Sequence, residues 1–199
     1  MESKRALRAD WPARPSDRVT LFAVMIETDR LQLRPLTMAD LDDLILVHSE
    51  PEVQRFFGLL GRAELIDWLA LVEKDWAQHG YGRGAIVDRV SGRLLGRAGL
   101  RRLVEFGETE LGWVLHPDAW GNGFATEAAR AWAQWGFESL DVPYLTSMID
   151  PRNTRSIAVA QRLEMTTLRP DILLGDAVTV YSLTRNSWAA ASTAGAQTI

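Results

Sequence analysis

Two spacings of apolar residues run along the chain, every second position or every third to fourth, and they predict strands and helices respectively. The clearest strand is Glu108–Leu115, where every second residue from Leu111 onward is apolar. A helix is predicted to begin near Ala125, because apolar residues recur there at helical spacing. The turn between them contains Gly121-Asn122-Gly123. This strand, glycine turn and helix are the central predicted unit of the chain.

Further strands and helices are predicted on both sides of this centre. The other strands are Thr28–Leu36, Tyr81–Val90, Arg93–Leu103, Tyr144–Ile149, Met165–Leu174 and Val178–Thr184. The other helices are Ala39–His48, Ala63–His79 and Thr154–Leu163, with a short helix or loop at Pro51–Leu60. This order predicts an α/β (α+β) domain with a mixed, mostly antiparallel twisted sheet and helices on both faces. One βαβ crossover is expected, through the central helix to Tyr144–Ile149.

The two ends of the chain are predicted to lie outside the folded domain. A basic start followed by the apolar run Val19–Ile26 imitates a secretory signal, but the run is short and lacks a small-residue cleavage site. We therefore predict a disordered or loosely attached leader at 1–24 and a single domain at 25–188. The Ala/Ser/Thr-rich segment from Ser187 is expected to be frayed, which gives a flexible tail at 189–199.

Composition narrows the class of protein. A chain of 199 residues suits one domain with a proper core. The net charge of −4 argues against nucleic acid as a partner, and no apolar run approaches the roughly 18 residues that span a membrane. The absence of cysteine excludes disulfides and a cysteine nucleophile and fits a cytoplasmic location. His48, His79 and His116 lack metal-ligand spacing, so no metal is expected and all three are interpreted as structural or surface residues.

The glycine turn has the chemistry of an anion site. Glycines let the backbone bend and let a ligand approach the amides closely, and the first amides of a helix have no partner within it. A phosphate or pyrophosphate therefore suits Gly121–Ala125, although a short Gly-x-Gly before a helix is more often only a tight turn. No Gly-Lys-Ser/Thr follows and no third glycine stands three residues on, which argues against a Walker loop and a dinucleotide fingerprint.

These residues resemble a known family. The run Trp120-Gly121-Asn122-Gly123-Phe124-Ala125-Thr126-Glu127-Ala128 resembles the acetyl-coenzyme A loop of GNAT-type N-acetyltransferases, whose pattern is Gln/Arg-x-x-Gly-x-Gly/Ala. Trp120 in place of Gln or Arg, with the following Ala-Thr-Glu-Ala, is similar to the RimJ/RimL branch, which acetylates the N-termini of ribosomal proteins. Glu110-Leu111-Gly112-Trp113 resembles the fourth strand of that branch. The resemblance extends from about Thr28 to Trp188 and implies the GNAT fold, with acetyl-coenzyme A as acetyl donor.

The resemblance also implies which residues hold the cofactor. Backbone groups of Val114 and Leu115 would lie along the pantetheine arm. Asn153 matches an Asn that contacts the cofactor, although it also suits a helix N-cap. Arg152 and Arg155 are candidates for the nucleotide phosphates, with a solvated surface role as the alternative. The pyrophosphate would meet the backbone amides of Gly121, Asn122, Gly123, Phe124 and Ala125.

Two side chains are candidates for proton transfer. Related enzymes often place a Glu beside the thioester, so Glu110 is the candidate base, acting with a raised pKa or through a water, and Glu108 is the reserve. An ordinary exposed strand residue is the alternative for Glu110. Ala160 replaces the Tyr that often protonates the leaving thiolate, so Ser156, one turn earlier, is the candidate acid. Its hydroxyl could instead bond its own helix backbone.

One turn departs from the family pattern. Leu163-Glu164-Met165 stands where the family has Leu-Gly-Phe. Glycine there ends the helix in the left-handed conformation, which would cost Glu164 about 1 kcal/mol unless the turn is rebuilt.

The leading hypothesis is direct attack of an amine on the thioester in a ternary complex, since no cysteine can form an acyl-enzyme. The acceptor, a protein N-terminus or a small molecule, would enter between the first two helices and the last hairpin, with Phe56, Phe57 and Leu173–Asp176 as candidate walls. The alternatives are a non-catalytic acyl-coenzyme A-binding or sensor domain and a purely structural domain. Homodimerisation is left open, because the edge strands cannot be interpreted for pairing.

Overall fold

The computed structural model describes residues 24–173 and 175–196, and side chains as far as residue 190. The strands are β1 Ile26–Glu27, β2 Leu31–Pro35, β3 Arg83–Asp88, β4 Leu94–Leu103, β5 Glu108–Leu115, β6 Tyr144–Ile149, β7 Thr166–Leu173 and β8 Asp176–Thr184. The helices are α1 Leu41–Ser49, α2 Pro51–Phe57, α3 Arg62–His79, α4 Phe124–Ser139, α5 Thr154–Arg162 and α6 Arg185–Ala196. The predicted strand and helix order is confirmed over most of this length.

The strands form one sheet in the order β1-β2-β3-β4-β5-β6-β8-β7. Every neighbouring pair is antiparallel except β5 and β6, which are parallel and joined by α4. The expected mixed sheet and its single βαβ crossover are therefore confirmed. The β5–β6 ladder pairs only Glu110 with Thr146. Beyond Leu111, whose carbonyl accepts a hydrogen bond from Ser147 Oγ, β5 separates from β6 and leaves a gap between the two strands.

Helices cover both faces of the sheet, as the sequence predicted. On one face α4 packs against β4 and β5, with Trp132 fully buried. A Cβ at Gly84 would lie 2.8 Å from the Trp132 ring, so this glycine permits the close approach of the helix. On the opposite face Arg97 of β4 contacts His48 of α1 and Trp68 of α3. The packing of α4 fixes its N-terminus beside the end of β5.

Local signals in the sequence set the ends of several elements. Gly80 ends α3 in the left-handed conformation, with φ 73°. Asn153 caps α5, since its Oδ1 accepts a hydrogen bond from Ser156 N at 3.0 Å. Glu164 takes the left-handed conformation with φ 62°, so the turn keeps the geometry expected for glycine and is not rebuilt.

The carboxyl-terminal part differs from expectation. Ser187 to Ala196 were expected to be irregular, but the chain is helical from Arg185 to Ala196. Alanine-rich sequence favours helix, and the Trp188 ring lies 6.0 Å from the Phe137 ring, which anchors the helix to α4. The predicted leader lies outside the described residues except for Val24, and the domain limits stay a prediction. No helix in the described part of the chain has the length and hydropathy needed to cross a bilayer.

Candidate active site

A cavity of about 870 Å³ lies at the gap between β5 and β6. Its walls come from α2, the end of β5, the glycine turn, the start of α4, and α5. It brings together most of the residues singled out in the sequence, namely Val114, Leu115, Gly121, Gly123, Phe124, Ala125, Asn153 and Ser156. Asn122 does not line the cavity, because its side chain amide turns back to the carbonyl of Trp120.

The end of β5 presents backbone to the cavity. Trp113, Val114 and Leu115 pair with β4 on one side, but no residue of β6 pairs with them on the other. Apart from the Leu115 carbonyl, which accepts a hydrogen bond from the Trp120 indole, their backbone groups on the gap side are therefore available to an extended ligand, which would occupy the place of a missing strand.

The glycine turn leads from β5 into α4. Gly121 and Gly123 have φ of 78° and 79°, a conformation that other residues rarely adopt. Helix α4 begins at Phe124, one residue before the predicted start. The amides at the start of a helix have no partner within it and lie at the positive end of the helix dipole, so this end of the cavity suits an anion.

An ion pair from another part of the chain holds this turn. Arg30 lies before β2; its Nη1 donates to the Asn122 carbonyl at 2.9 Å and its Nε to Glu127 Oε2 at 2.8 Å. Thr28 Oγ1 donates to Glu127 Oε1 at 2.6 Å. Burial would raise the pKa of Glu127, but these hydrogen bonds outweigh it and lower that pKa. Sequence reasoning did not identify Arg30, since nothing in the local pattern marks a partner that is distant in sequence.

Trp120 closes the turn on its other side. Its indole Nε1 donates to the Leu115 carbonyl at 2.9 Å, and the Arg155 guanidinium lies 4.3 Å from its ring centroid. Arg155 lines the cavity, together with Arg30, Arg130 and Arg162. Arg152, the other arginine singled out in the sequence, does not line it and is paired with Asp150 at 2.6 Å.

Ser156 offers a free hydroxyl to the cavity. Its backbone amide is used by the Asn153 cap, but its Oγ makes no hydrogen bond to any other described residue. The alternative of a hydroxyl bonded to its own helix therefore has no support in this geometry. Ala160, at the position of the family's Tyr, is fully buried.

The expectation that Glu110 has a raised pKa is wrong. Its carboxylate lies 2.5 Å from Arg83 Nη2 and 3.2 Å from Arg101 Nη2, and its side chain is 9% exposed. Burial would raise the pKa of Glu110, but the two guanidinium charges outweigh it and hold the pKa below its ordinary value. Glu110 does not line the cavity. Strand alternation placed it away from the apolar face, but arginines of β3 and β4 cover that side.

The reserve candidate is also engaged elsewhere. Glu108 accepts hydrogen bonds from Arg169 of β7, the shorter at 2.7 Å, and does not line the cavity. The cavity-lining carboxylates are those of Asp29, Glu52 and Glu127. Glu127 is bound to Arg30, whereas Glu52 makes no ion pair with any other described residue.

The expected walls for an acceptor are partly right. Phe56 and Phe57 of α2 line the cavity with Glu52. Leu173, Gly175 and Asp176 of the last hairpin do not line it, and residue 174 lies outside the described residues. Since His116, which follows β5, lies 3.3 Å from Glu50 at the start of α2, this short helix is held over the end of β5.

Comparison with known proteins identifies the family. A model of the acetyltransferase (GNAT) domain matches residues 30–166. The chain is 28% identical over 140 residues to an uncharacterized N-acetyltransferase, p20, of Bacillus licheniformis, covering 68% of this chain and 79% of that protein.

Solved structures share the fold. An acetyltransferase from Agrobacterium tumefaciens strain C58 has a TM-score of 0.71 and 30% identity, over 86% of this chain and all of that one. A putative ribosomal-protein-serine acetyltransferase from Vibrio cholerae has a TM-score of 0.70 and 23% identity, over 83% and 99% of the two chains.

Proposed function

The chain belongs to the acetyltransferase (GNAT) family, and we propose that it is an N-acetyltransferase that uses acetyl-coenzyme A to acetylate a primary amine. The observation that carries this proposal is one continuous cavity that joins the unpaired backbone edge of Trp113–Leu115 to the amides of the glycine turn. An extended arm and a pyrophosphate need those two features in that order.

The residues present fit this donor. The glycine turn would hold the pyrophosphate, and the space beside Gly121 is open, since a Cβ there would meet nothing within 4 Å. Arg130, Arg155 and Arg162 also line the cavity and would attract the remaining phosphate charge, whereas Arg30 is already paired with Glu127. The donor supplies an acetyl thioester, an acyl group that an amine can attack directly. No cysteine exists to form an acyl-enzyme, which supports direct transfer in a ternary complex.

Ser156 is proposed to donate a hydrogen bond to the sulfur of the leaving thiolate as the carbon–sulfur bond breaks, and the thiolate then takes its proton from solvent. Its hydroxyl lines the cavity and makes no hydrogen bond to another described residue, so it is free to donate. The backbone cap by Asn153 fixes its position at the start of α5.

Glu52 is proposed as the group that receives the proton of the amine, directly or through a water. It is an exposed carboxylate on the cavity wall, beside the two phenylalanines of α2, and no cation is paired with it in the described chain. Glu110 cannot serve as a base of raised pKa, because its proton affinity is lowered by two arginines.

The Trp120 loop and the following Ala-Thr-Glu-Ala support a place near the RimJ/RimL branch. The Vibrio cholerae protein of similar fold is described as a putative ribosomal-protein-serine acetyltransferase. A protein N-terminus is thus one candidate acceptor and a small amine the other. The cytoplasmic location expected from the absence of cysteine stays a prediction.

Calorimetric titration with acetyl-coenzyme A, comparing wild type with Gly123→Asp, tests the donor site. The carboxylate would repel the pyrophosphate, and we expect micromolar binding to be lost. Gly92→Asp is the matched control: Gly92 has φ 70° and open space around it, in the β3–β4 turn. The control variant carries the same charge and similar backbone strain without touching the cavity.

Turnover separates the enzyme from the sensor alternative. Amine-dependent thiol release can be followed without background from the protein, because the chain has no cysteine. Binding with turnover supports the enzyme, and binding without turnover on any amine of a broad panel would favour the sensor. A wild type that does not bind acetyl-coenzyme A would refute both.

A further inference from the structure

Arg97 is a buried cation without a counter-ion. The residue is 8% exposed, and no carboxylate lies within 4 Å of its guanidinium anywhere in the described chain. Burial, with the charge of nearby Arg83, lowers the pKa of Arg97 to about 9, so the side chain still carries its proton at neutral pH. Burying a charge without a partner costs free energy, and a bound ligand of opposite charge would offset that cost.

The groups in contact with the Arg97 guanidinium are aromatic rings. Its guanidinium lies 4.7 Å from the ring centroid of Trp68 and 5.5 Å from that of Phe57. Its Nε donates to His48 Nε2 at 3.4 Å. No hydrogen bond joins its two terminal nitrogens to another residue in the described part of the chain. Rings on its faces and free donors at its end make the geometry of a receptor for a planar anion.

The net positive charge of this sheet face would also attract an anion. Arg97 and Arg101 of β4 lie on one face, since they alternate along the strand, and Arg101 pairs with Glu110 across the ladder. Arg83 also binds Glu110. Three guanidiniums therefore lie near one carboxylate. Those of Arg83 and Arg101 contact Glu110, and that of Arg97 does not.

Arg97 lies next to the end of β5 that is proposed to hold the arm of the donor. It stands directly opposite Val114 in the β4–β5 ladder, and opposed residues share a face with Cα atoms about 5 Å apart. Val114 and Phe57 both line the cavity. Arg97 itself does not line the cavity, but the Phe57 ring that lies 5.5 Å from its guanidinium does, and this residue is 41% exposed.

We infer that Arg97 is an anion receptor for the acceptor, so that the acetylated amine belongs to a molecule with a carboxylate a few bonds away. This rests on the proposed function, since the amine must meet the thioester at the end of the donor arm that is proposed to lie along Val114 and Leu115. The shared chemistry is that of a free amino acid or of a peptide that begins with an acidic residue. A polyamine has no group for Arg97.

Binding is tested without turnover. N-acetyl amino acids keep the carboxylate of the acetylated product, and the corresponding N-acetyl amides lack it. We expect calorimetry to show the acid binding wild type about tenfold or more tightly than the amide, and this preference to vanish in Arg97→Met. Arg62→Met is the matched control, because it removes the same charge at an exposed ion pair with Asp42.

The outcomes separate the hypotheses. Equal binding of acid and amide by wild type would overturn the inference, whether or not any variant folds. A preference that survives in folded Arg97→Met would overturn it too, and Arg97→Lys should keep part of the preference. If acetyl-coenzyme A fails to bind while the acid preference holds, the proposed function fails and the anion receptor stands.

The rate of acetyl transfer decides whether the carboxylate belongs to a free amino acid or to a peptide. With acetyl-coenzyme A present, thiol release is compared between free aspartate and a peptide amide that begins with aspartate. Faster turnover of either one identifies the source, and neither exceeding a neutral amine of equal size would contradict the inference.

Discussion

The carboxylate of Glu110 lies 2.5 Å from Arg83 Nη2, with both side chains 9% exposed. This pair joins β3 to β5 beneath α1 and α3, and Arg101 approaches the same carboxylate from β4. Glu110, at the position expected for a base, thus neutralises arginines of its own sheet. Substitution of Glu110 should therefore change the free energy of unfolding.

We expect Glu110→Gln to lower the free energy of unfolding by about 3 kcal/mol, because it leaves Arg83 buried without its charge partner. Urea unfolding measures this. The double variant Arg83→Met/Glu110→Leu should recover much of the loss, since it removes both charges together. A Glu110→Gln protein of unchanged stability with a large loss in kcat would instead restore Glu110 as the base.

His48 should make the protein sensitive to acid. Burial, with the charge of Arg97, lowers the pKa of His48 to about 3 from 6.5. Between these values the unfolded chain binds a proton that the folded chain excludes, so unfolding becomes easier as the pH falls, by about 1.4 kcal/mol per pH unit. Urea unfolding of wild type and His48→Leu from pH 7 to pH 4 should show a shallower slope in the variant. His79→Gln is the control, and an equal slope in His48→Leu would contradict the assignment.

Glu127 should act on donor binding through the glycine turn. It accepts from Thr28 and Arg30, and Arg30 in turn holds the Asn122 carbonyl. We expect Glu127→Ala to weaken acetyl-coenzyme A binding about tenfold and to lower stability by about 1–2 kcal/mol, because the turn loses its tether. Calorimetry and urea unfolding measure the two effects. Glu138→Ala, exposed on the same helix and bonded to Gln134, should change neither.

Glu164→Gly should stabilise the fold. Glu164 is held at φ 62°, which costs a residue with a Cβ about 1–2 kcal/mol. Part of this gain is offset by the freedom that glycine adds to the unfolded chain, so we expect a net increase of about 0.5–1 kcal/mol in urea unfolding. Gln134→Gly, at an exposed position inside α4, should lower stability instead. A destabilised Glu164→Gly would show that this side chain makes a contact that outweighs its backbone strain.

Ser156→Ala should lower kcat about tenfold or more while leaving acetyl-coenzyme A binding unchanged, because its free hydroxyl is proposed to act on the leaving group. Asn153→Ala should instead lower the free energy of unfolding by about 1 kcal/mol, because it removes the cap of α5. If Ser156→Ala weakens donor binding and leaves kcat intact, the hydroxyl only binds the cofactor.

The sequence by itself determined the framework of this protein. Strands Glu108–Leu115 and Tyr144–Ile149 have the predicted limits, Gly80 ends α3 and Asn153 caps α5, as the pattern predicted. These features depend on residues close in sequence, where backbone preference and side-chain periodicity are sufficient. The glycine turn that is proposed to bind the donor belongs to the same class, since its residues are contiguous in sequence.

Only the tertiary structure decided which charged groups are free. Alternation placed Glu110 on the less apolar side of its strand, but it could not show that Arg83 and Arg101 come from other strands to cover it. The tether from Arg30 to Glu127 and the unpaired cation of Arg97 are likewise outcomes of distant packing. The proton affinity of a side chain depends on burial and on charges a few ångströms away, and those neighbours are brought together only when the chain folds.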